Sequence, residues 1–221
     1  MNLKINDFDH FSFDLWLTLI KSNPEFKNKR SELFREFFEI ELPIEEVIKV
    51  VRKFDVLCNT INERTGFNIN TFEIYCLILN ELKIDMMTIN SDRLQDFYEE
   101  TESLFMEYKP VLLNTAIHTL FDDIVRQEKT INILSNTGFI KGNTLRKLLS
   151  YYDLEHYFSF QIYSDEVEYS KPNKEIYSLV YTKANENKSI VKNKIIHIGD
   201  NYISDYTGAL NFGFNAFLYE K

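Results

Sequence analysis

The sequence contains little of what cross-links a protein or anchors it in a membrane. Among its 221 residues there are only two cysteines, Cys58 and Cys76, and they stand too far apart for a CxxC motif. The four histidines lack the spacing of metal ligands, so we expect neither a disulfide framework nor a zinc site. No run of eighteen apolar residues occurs, and acidic residues interrupt the start of the chain, where a signal peptide would be apolar. These absences predict a cytoplasmic protein that does not enter a membrane.

Positive charge is also scarce. The chain has 25 Lys and Arg residues against 34 Asp and Glu residues, a formal net charge of −9. Proteins that bind nucleic acid through its phosphates need clustered basic side chains, so we expect no nucleic-acid partner. Any phosphate group that the protein binds must be met by a few local residues. The mass of 26.3 kDa allows a sizeable core without cross-links. The sequence leaves the oligomeric state open.

One long stretch has a purely helical pattern. Between residues 23 and 108 the apolar residues recur three and four positions apart, for example at Leu33, Phe34 and Phe37. Pro24 and Pro43 stand where the first residue of a helix is expected. This stretch predicts about four helices with no strand between them, which together form a small helical module.

The remainder of the chain alternates between strands and helices. Short runs rich in β-forming residues end near positions 13, 134, 163, 198 and 219, and helical patterns separate the last four of them. Such alternation is typical of a parallel sheet covered by helices on both faces. The sequence therefore predicts a doubly wound α/β fold that the helical module interrupts after the first strand.

Reactive side chains follow several of these predicted strands. Asp14, Ser135 and Asp200 each come at the carboxyl end of a strand, which is where ligands bind in an open parallel sheet. Lys171 precedes Pro172, which suits the first position of the next helix, so Lys171 would place a cation beside helix amides. We expect these four polar groups to share one edge of the sheet.

Four short motifs, taken in order, resemble those of the haloacid dehalogenase-like hydrolase superfamily. Residues 13–19, Phe-Asp-Leu-Trp-Leu-Thr-Leu, are similar to the first motif, whose leading aspartate, here Asp14, is the nucleophile. Residues 133–136, Ile-Leu-Ser-Asn, are similar to the second motif, in which Ser135 would hold the transferred group. Asn136 is expected to bind the same group.

The third and fourth motifs supply charge. Residues 169–172, Tyr-Ser-Lys-Pro, resemble the third motif, with Lys171 as the lysine that neutralises the substrate and nucleophile. Residues 198–201, Ile-Gly-Asp-Asn, followed by Asp205, resemble the acidic fourth motif, which holds magnesium in family members. The resemblance implies a Rossmann-like core formed by residues 1–20 and 109–221, and a helical cap formed by residues 21–108.

The resemblance also implies a ligand set for Mg²⁺, which prefers oxygen ligands. Asp14 and Asp200 would bind the ion through their side chains, and the backbone carbonyl of Trp16 would complete the protein's share. Thr18, Asn201 and Asp205 are expected to orient these ligands rather than to bind the ion. The expected reaction is Mg²⁺-dependent hydrolysis of a small phosphorylated metabolite through an aspartyl intermediate.

Trp16 departs from the family's phosphatase pattern and leaves alternatives open. Phosphatases of the family usually carry a second aspartate two residues after the nucleophile, and an indole cannot replace it as a proton donor. Family dehalogenases also lack that acid, so a metal-independent 2-haloacid dehalogenase is one alternative. Those dehalogenases carry serine where this chain has Asp200, which favours the metal-dependent phosphatase. A catalytically silent protein that binds a metabolite or a protein partner is the third possibility.

Overall fold

The computed structural model describes residues 4–219, so the expected outer limits of the core at residues 1 and 221 lie outside the described residues. The strands are β1 His10–Phe13, β2 Ile20–Lys21, β3 Val111–Leu112, β4 Thr130–Ser135, β5 Phe158–Tyr163, β6 Ile195–Gly199 and β7 Asn215–Leu218. The α-helices are α1 Pro24–Phe37, α2 Ile44–Thr65, α3 Thr71–Glu81, α4 Ser91–Glu107, α5 Ile117–Arg126, α6 Gly142–Tyr151, α7 Ser164–Val167, α8 Lys174–Ala184 and α9 Gly208–Phe212, and a π-helix at Tyr202–Thr207 leads directly into α9.

Five strands form one parallel sheet in the order β5-β4-β1-β6-β7. β1 lies at the centre, where Phe13 is in register with Ile133 of β4 on one side and Ile198 of β6 on the other. Along the chain, β4 and β5 are therefore added on one side of β1, and β6 and β7 are then added on the other side. Ligands of open α/β sheets bind at this reversal, outside the carboxyl ends of the strands.

Side chains of the central strands alternate between two hydrophobic clusters, one on each face of the sheet. Phe11 and Phe13 of β1 pack with residues of α5 and α6 in one cluster. Leu134 of β4 packs with residues of α8 and α9 in the other. This period of two confirms the doubly wound α/β fold that the strand–helix alternation predicts.

The helical stretch forms α1 to α4, as the spacing of its apolar residues predicts. These helices share an aromatic-rich cluster around Phe34, Tyr75 and Phe97, and Phe139 from the loop after β4 joins it. A capping box begins α3, because Asn70 accepts hydrogen bonds from the first turn while Glu73 accepts one from the Asn70 N–H. The division at residues 21–108 into cap and core stays a prediction.

Local details differ from the sequence-based expectations at three points. Pro43 caps α2 from outside instead of opening it, and α8 begins two residues after Pro172, with Asn173 as its N-cap. Lys171 therefore lies outside the helix, and its partners are side chains and a carbonyl instead of helix amides. The antiparallel pair β2 and β3 was also missed, because strands of two residues carry no readable pattern.

Within the described residues, no helix is long and apolar enough to cross a membrane. Cys58 and Cys76 are free thiols.

Candidate active site

Asp14 lies directly beyond β1, at the centre of the sheet edge. Its backbone N–H donates to the carbonyl of Ile198 at 2.8 Å, which prolongs the pairing of β1 with β6 by one residue. The chain then turns back tightly, since the N–H groups of Leu19 and Ile20 both donate to the carbonyl of Leu15. This turn brings Thr18 against the nucleophile candidate, and its Oγ1 donates to Asp14 Oδ2 at 3.1 Å.

Lys171 is the buried cation at the centre of the site, with only 1% of its surface exposed. Its Nζ donates to Asp14 Oδ1 at 2.7 Å, to Asp205 Oδ1 at 2.6 Å and to the carbonyl of Leu134 at 2.8 Å. An ammonium group has three N–H donors, so this geometry engages all of them. Lys171 therefore neutralises carboxylates and connects three segments: the turn after β1, the end of β4 and the segment after β6.

The loop after β4 holds the backbone of Lys171. The side-chain oxygen of Asn136 accepts from the Lys171 N–H at 2.7 Å, and its amide nitrogen donates to the Lys171 carbonyl at 3.0 Å. Asn136 also lines the cavity described below, whereas Ser135 is fully buried and is not one of the lining residues. Ser135 Oγ donates to the Asn136 carbonyl at 3.2 Å. The expectation that Ser135 holds the transferred group stays a prediction.

Asp205 is held by the strand and loop of the fourth motif. The backbone N–H of Asn201 donates to its Oδ2 at 2.9 Å, and His197 Nε2 lies 3.1 Å from its Oδ1. Gly199 makes this possible, because a Cβ there would lie 2.2 Å from the Asp205 carboxyl carbon. His197 also contacts Ser12, so this histidine is a partnered core residue, as expected for a histidine without metal-ligand spacing.

Three carboxylates converge at this point. Asp14, Asp200 and Asp205 each present an oxygen within 4.8 Å of the others. Lys171 supplies one positive charge against these three negative charges, and carboxylate oxygens are the ligands that Mg²⁺ prefers. The donor set and the charge excess therefore fit a hard divalent cation.

The pKa values of the two buried acids of the site, Asp14 and Asp205, are shifted in opposite directions. Burial raises the pKa of Asp14 to about 7, because Asp205 and Asp200 add to the effect and Lys171 only partly opposes it. Burial also opposes ionisation of Asp205, yet Lys171 and His197 hold its pKa well below its usual range. The pKa of Lys171 is raised, since Asp14 and Asp205 outweigh the effect of its burial. A cation near Asp14 would favour its ionised form.

These groups line a cavity of about 540 Å³. Asp14, Lys171, Asp200 and Asp205 contribute to its lining from the sheet edge, and residues of α1 and α2 contribute from the helical stretch. Trp16 is partly buried on its wall, with its ring 6.3 Å from that of Phe105. Phe105 belongs to α4, so this aromatic contact joins the turn after β1 to the helical stretch.

Two charged residues of the helical stretch also line the cavity, and the sequence-based analysis missed Glu63. Glu63 of α2 accepts hydrogen bonds from Asn201 Nδ2 at 2.9 Å and from Ser204 Oγ at 2.8 Å. Arg30 of α1 is buried and also lines the cavity. Neither residue belongs to a motif, so only its position in the folded chain distinguishes it from the other charged residues of the helical stretch.

Comparison with known proteins identifies the family. The model of the haloacid dehalogenase-like hydrolases matches residues 12–218. The chain belongs to this family. A stretch of 108 residues is also 30% identical to an uncharacterized hydrolase of Schizosaccharomyces pombe. That match spans 46% of each chain, so this chain covers about half the length of that relative.

Solved structures of haloacid dehalogenase-like hydrolases share the fold. The magnesium-bound HAD-hydrolase YfnB of Bacillus subtilis superimposes with a TM-score of 0.65 at 17% identity, over 95% of this chain and 87% of that one. The HAD phosphatase of Thermococcus onnurineus gives 0.63 at 15% identity, over 96% and 86%. A 2-haloacid dehalogenase of Pseudomonas syringae gives 0.61 at 16% identity, also over 96% and 86%. Identities this low establish the fold alone, and two of these proteins, the phosphatase and the dehalogenase, differ in chemistry.

Proposed function

We propose that this chain is a phosphohydrolase that uses Asp14 as its nucleophile and a divalent cation to act on a small phosphorylated metabolite. The observation that carries the proposal is the meeting of Asp14, Lys171 and two further carboxylates in the lining of one cavity. A phosphoryl dianion can approach this acidic site only if positive charge offsets its repulsion by the carboxylates. Lys171 and a bound cation would together supply that charge.

Asp14 is oriented for attack by hydrogen bonds to both of its oxygens. Lys171 holds Oδ1 and Thr18 holds Oδ2, so the carboxylate does not need to reorganise when substrate arrives. Attack forms a bond between an Asp14 oxygen and phosphorus while the bond from phosphorus to the leaving oxygen breaks. Water then attacks the phosphorus of the aspartyl phosphate, which releases inorganic phosphate and restores the carboxylate.

Asp14 and Asp200, with the backbone carbonyl of Trp16, are the groups that would hold the divalent cation. Asp205 would orient the site, because its two oxygens already accept hydrogen bonds from Lys171 and the Asn201 N–H. When bound, Mg²⁺ would stabilise the negative charge that spreads over the phosphoryl oxygens.

Trp16 determines which leaving groups the proposed enzyme handles well. The leaving oxygen of an alkyl phosphate must gain a proton, and the indole of Trp16 does not exchange one. Aryl and acyl phosphates need no such help, because their leaving groups are stable as anions. We therefore propose a preference for substrates with good leaving groups.

Phosphate release from p-nitrophenyl phosphate and acetyl phosphate, with Mg²⁺ and with excess chelator, tests the proposal. We expect turnover that requires Mg²⁺ and that Asp14→Asn abolishes, because the amide is not a nucleophile. Asp153→Asn, a change at an exposed carboxylate, is the matched control and should retain full activity. Turnover that persists in chelator or in Asp14→Asn would contradict the proposal.

The absence of a second acid at Trp16 also favours one other reaction, the hydrolysis of 2-haloacids. A departing halide needs no proton, so Trp16 would be no handicap. The three converging carboxylates count against this reaction, because they would repel a haloacid anion unless a cation lay among them. Halide release from 2-chloropropionate in the presence of chelator would establish it, and we expect none.

A further inference from the structure

The second step of the proposed reaction, in which water attacks the aspartyl phosphate, is accelerated by a group that takes a proton from that water. Trp16 cannot be that group, because its indole N–H only donates. Lys171 cannot serve either, since all three of its N–H donors are engaged. Among the described residues, no histidine lines the cavity. A side chain that acts as the base at this site is therefore a carboxylate.

Five carboxylates line the cavity in the described part of the chain, and four of them already have another role or partner. The five are Asp14, Asp55, Glu63, Asp200 and Asp205. Asp14 is the proposed nucleophile, and Asp200 is a proposed ligand of the cation. Asp205 accepts hydrogen bonds at both oxygens, and Asp55 is paired with the Arg52 guanidinium at 2.9 Å. Glu63 is the carboxylate that remains.

Glu63 is partly buried on α2 and is held through one of its two oxygens. Oε2 accepts from Asn201 Nδ2 at 2.9 Å and from Ser204 Oγ at 2.8 Å. Between residues 4 and 219, no hydrogen bond ends at Oε1 and no basic side chain forms an ion pair with Glu63. Its partners are neutral donors, so they fix the carboxylate without neutralising its charge. Oε1 is left to accept a proton.

The two donors to Glu63 also connect it to the charged groups of the site. The backbone N–H of Asn201 donates to Asp205 Oδ2 at 2.9 Å, and Asp205 is bonded to Lys171. Ser204 Oγ lies 3.4 Å from the carbonyl oxygen of Lys171. Glu63 is therefore separated by a single residue from each of two groups that surround the nucleophile.

Asp14 and Glu63 reach the same cavity from different parts of the fold. Asp14 follows β1 at the sheet edge, whereas Glu63 belongs to the helical stretch. In phosphoryl transfer the attacking and leaving oxygens lie roughly in line, so water must approach a phosphoryl group on Asp14 from the side away from Asp14. A base for this water must come from a part of the chain other than the turn that carries the nucleophile. Glu63 meets that requirement.

We propose that Glu63 is the general base that activates water in the second step, and this inference rests on the proposed phosphohydrolase function. Oε1 takes a proton from water while the water oxygen bonds to phosphorus and the bond from phosphorus to the Asp14 oxygen breaks. Inorganic phosphate and the Asp14 carboxylate are formed, and the proton then passes from Glu63 to solvent. A carboxylate has no proton to give to a leaving group, so the first step keeps the dependence on leaving group that Trp16 imposes.

The variant Glu63→Gln separates this role from the support of the π-helix, because an amide oxygen can accept both hydrogen bonds but does not take up the proton. With saturating Mg²⁺, rapid mixing with p-nitrophenyl phosphate should give a burst of about one nitrophenolate per active site. The steady state that follows should be about 10²- to 10⁴-fold slower than in the wild type. Acid-quenched Glu63→Gln should carry phosphate on Asp14, identified by mass spectrometry of its peptides.

Asp55→Asn is the matched control, because it removes a carboxylate from the same helix and the same cavity. It should keep the turnover of the wild type and accumulate no additional aspartyl phosphate. Wild-type turnover in Glu63→Gln would overturn the inference. Slow turnover in Glu63→Gln without a burst and without phosphate on Asp14 would also overturn it, since Glu63 would then act before the intermediate forms.

The outcomes also separate this inference from the proposed function. Phosphate release that requires Mg²⁺ and Asp14, combined with unchanged turnover in Glu63→Gln, would refute the base alone. A wild-type protein that releases no phosphate and never carries phosphate on Asp14 would refute the phosphohydrolase and its base together.

Discussion

At the residue scale, the site depends on one lysine that is shared between two acids. Lys171 contacts Asp14 and Asp205 with all of its donors engaged, so it keeps both carboxylates close without leaving a free N–H. Asp205 keeps its charge in this pairing, whereas the pKa of Asp14 rises to about 7. A divalent cation would reverse that rise and complete the nucleophile.

Trp16 is the residue whose replacement tests the missing proton donor. We expect Trp16→Asp to raise kcat/KM for alkyl phosphates by about 10²- to 10⁴-fold, the range of general acid catalysis, with little change for acyl phosphates. Leu17→Asp is the control, because Leu17 also lines the cavity and its backbone (φ 60°) tolerates aspartate. A similar rise on both substrate classes, or none, would mean that the leaving group does not limit turnover.

His10 makes the stability of the fold depend on pH. Burial lowers its pKa from 6.5 to about 4, although a hydrogen bond to Asn132 partly opposes the shift. Below about pH 6.5 His10 binds a proton in the unfolded chain but stays neutral in the folded chain. The contribution of neutral His10 to the free energy of unfolding is therefore complete above this pH and is lost as the pH falls towards 4. The whole loss from this one group is about 3 kcal/mol.

Urea unfolding of the wild type and of His10→Gln between about pH 7 and pH 4.5 measures this contribution. The stability of the variant should fall less steeply as the pH is lowered, because glutamine does not titrate. Parallel curves for the two proteins would show that His10 is not the group responsible.

At the element scale, the last turns of α2 connect the helical stretch to the loops of the site. Glu63 accepts hydrogen bonds from Asn201 and Ser204, both of which lie between Asp200 and Asp205 in the chain. Gly66, at the end of the same helix, accepts from the N–H of Ser170, next to Lys171. Gly66 can close the helix there because its φ of +73° suits glycine. One helix end thus supports two of the loops that carry charged site residues.

Glu63→Ala should loosen the start of the π-helix, from its N-cap Asn201 to Ser204, and weaken Mg²⁺ binding, measured by calorimetry, by about fivefold, or about 1 kcal/mol. Glu63→Gln should recover most of this affinity, because its amide oxygen can still accept both hydrogen bonds. Glu45→Ala changes an exposed glutamate of the same helix and should leave the affinity unaltered. Loss of affinity in the glutamine variant as large as in the alanine variant would indicate that charge, not the hydrogen bonds, supports the loop.

At the scale of the whole molecule, ligand binding and folding are linked. The three carboxylates converge only when β1 and β6 lie side by side, so a cation that binds them binds the folded chain and not the unfolded one. Mg²⁺ at about 100 times its dissociation constant should stabilise the fold by about 2.7 kcal/mol. For a chain of this size, that corresponds to a rise in melting temperature of about 5 to 10 °C.

Thermal unfolding with and without Mg²⁺ measures this rise, which chelator should reverse. Asp200→Asn should remove most of it, whereas Asp153→Asn, a change at an exposed carboxylate that does not line the cavity, should keep it. A rise of equal size in both variants would place the cation elsewhere on this acidic protein.

Much of the architecture was readable in the sequence because it depends on local patterns. The alternation of strands and helices predicts the parallel sheet, and the recurrence of apolar residues predicts α1 to α4. Asp14 and Asp200 follow strands that become neighbours, so their shared edge could be inferred from chain order. The pairing of β2 with β3 could not, since its two-residue strands are defined only by each other.

The positions of the reactive side chains at strand ends follow from the sequence, because strand periodicity and motif order are properties of neighbouring residues. The folded chain was needed to find the three partners of Lys171, the role of Glu63 as an acceptor for the segment that follows Asp200, and the burial of Arg30 in the same cavity. Each of these contacts joins residues tens to more than a hundred positions apart. Burial and electrostatic pairing at such separations arise only when the helical stretch folds against the edge of the sheet.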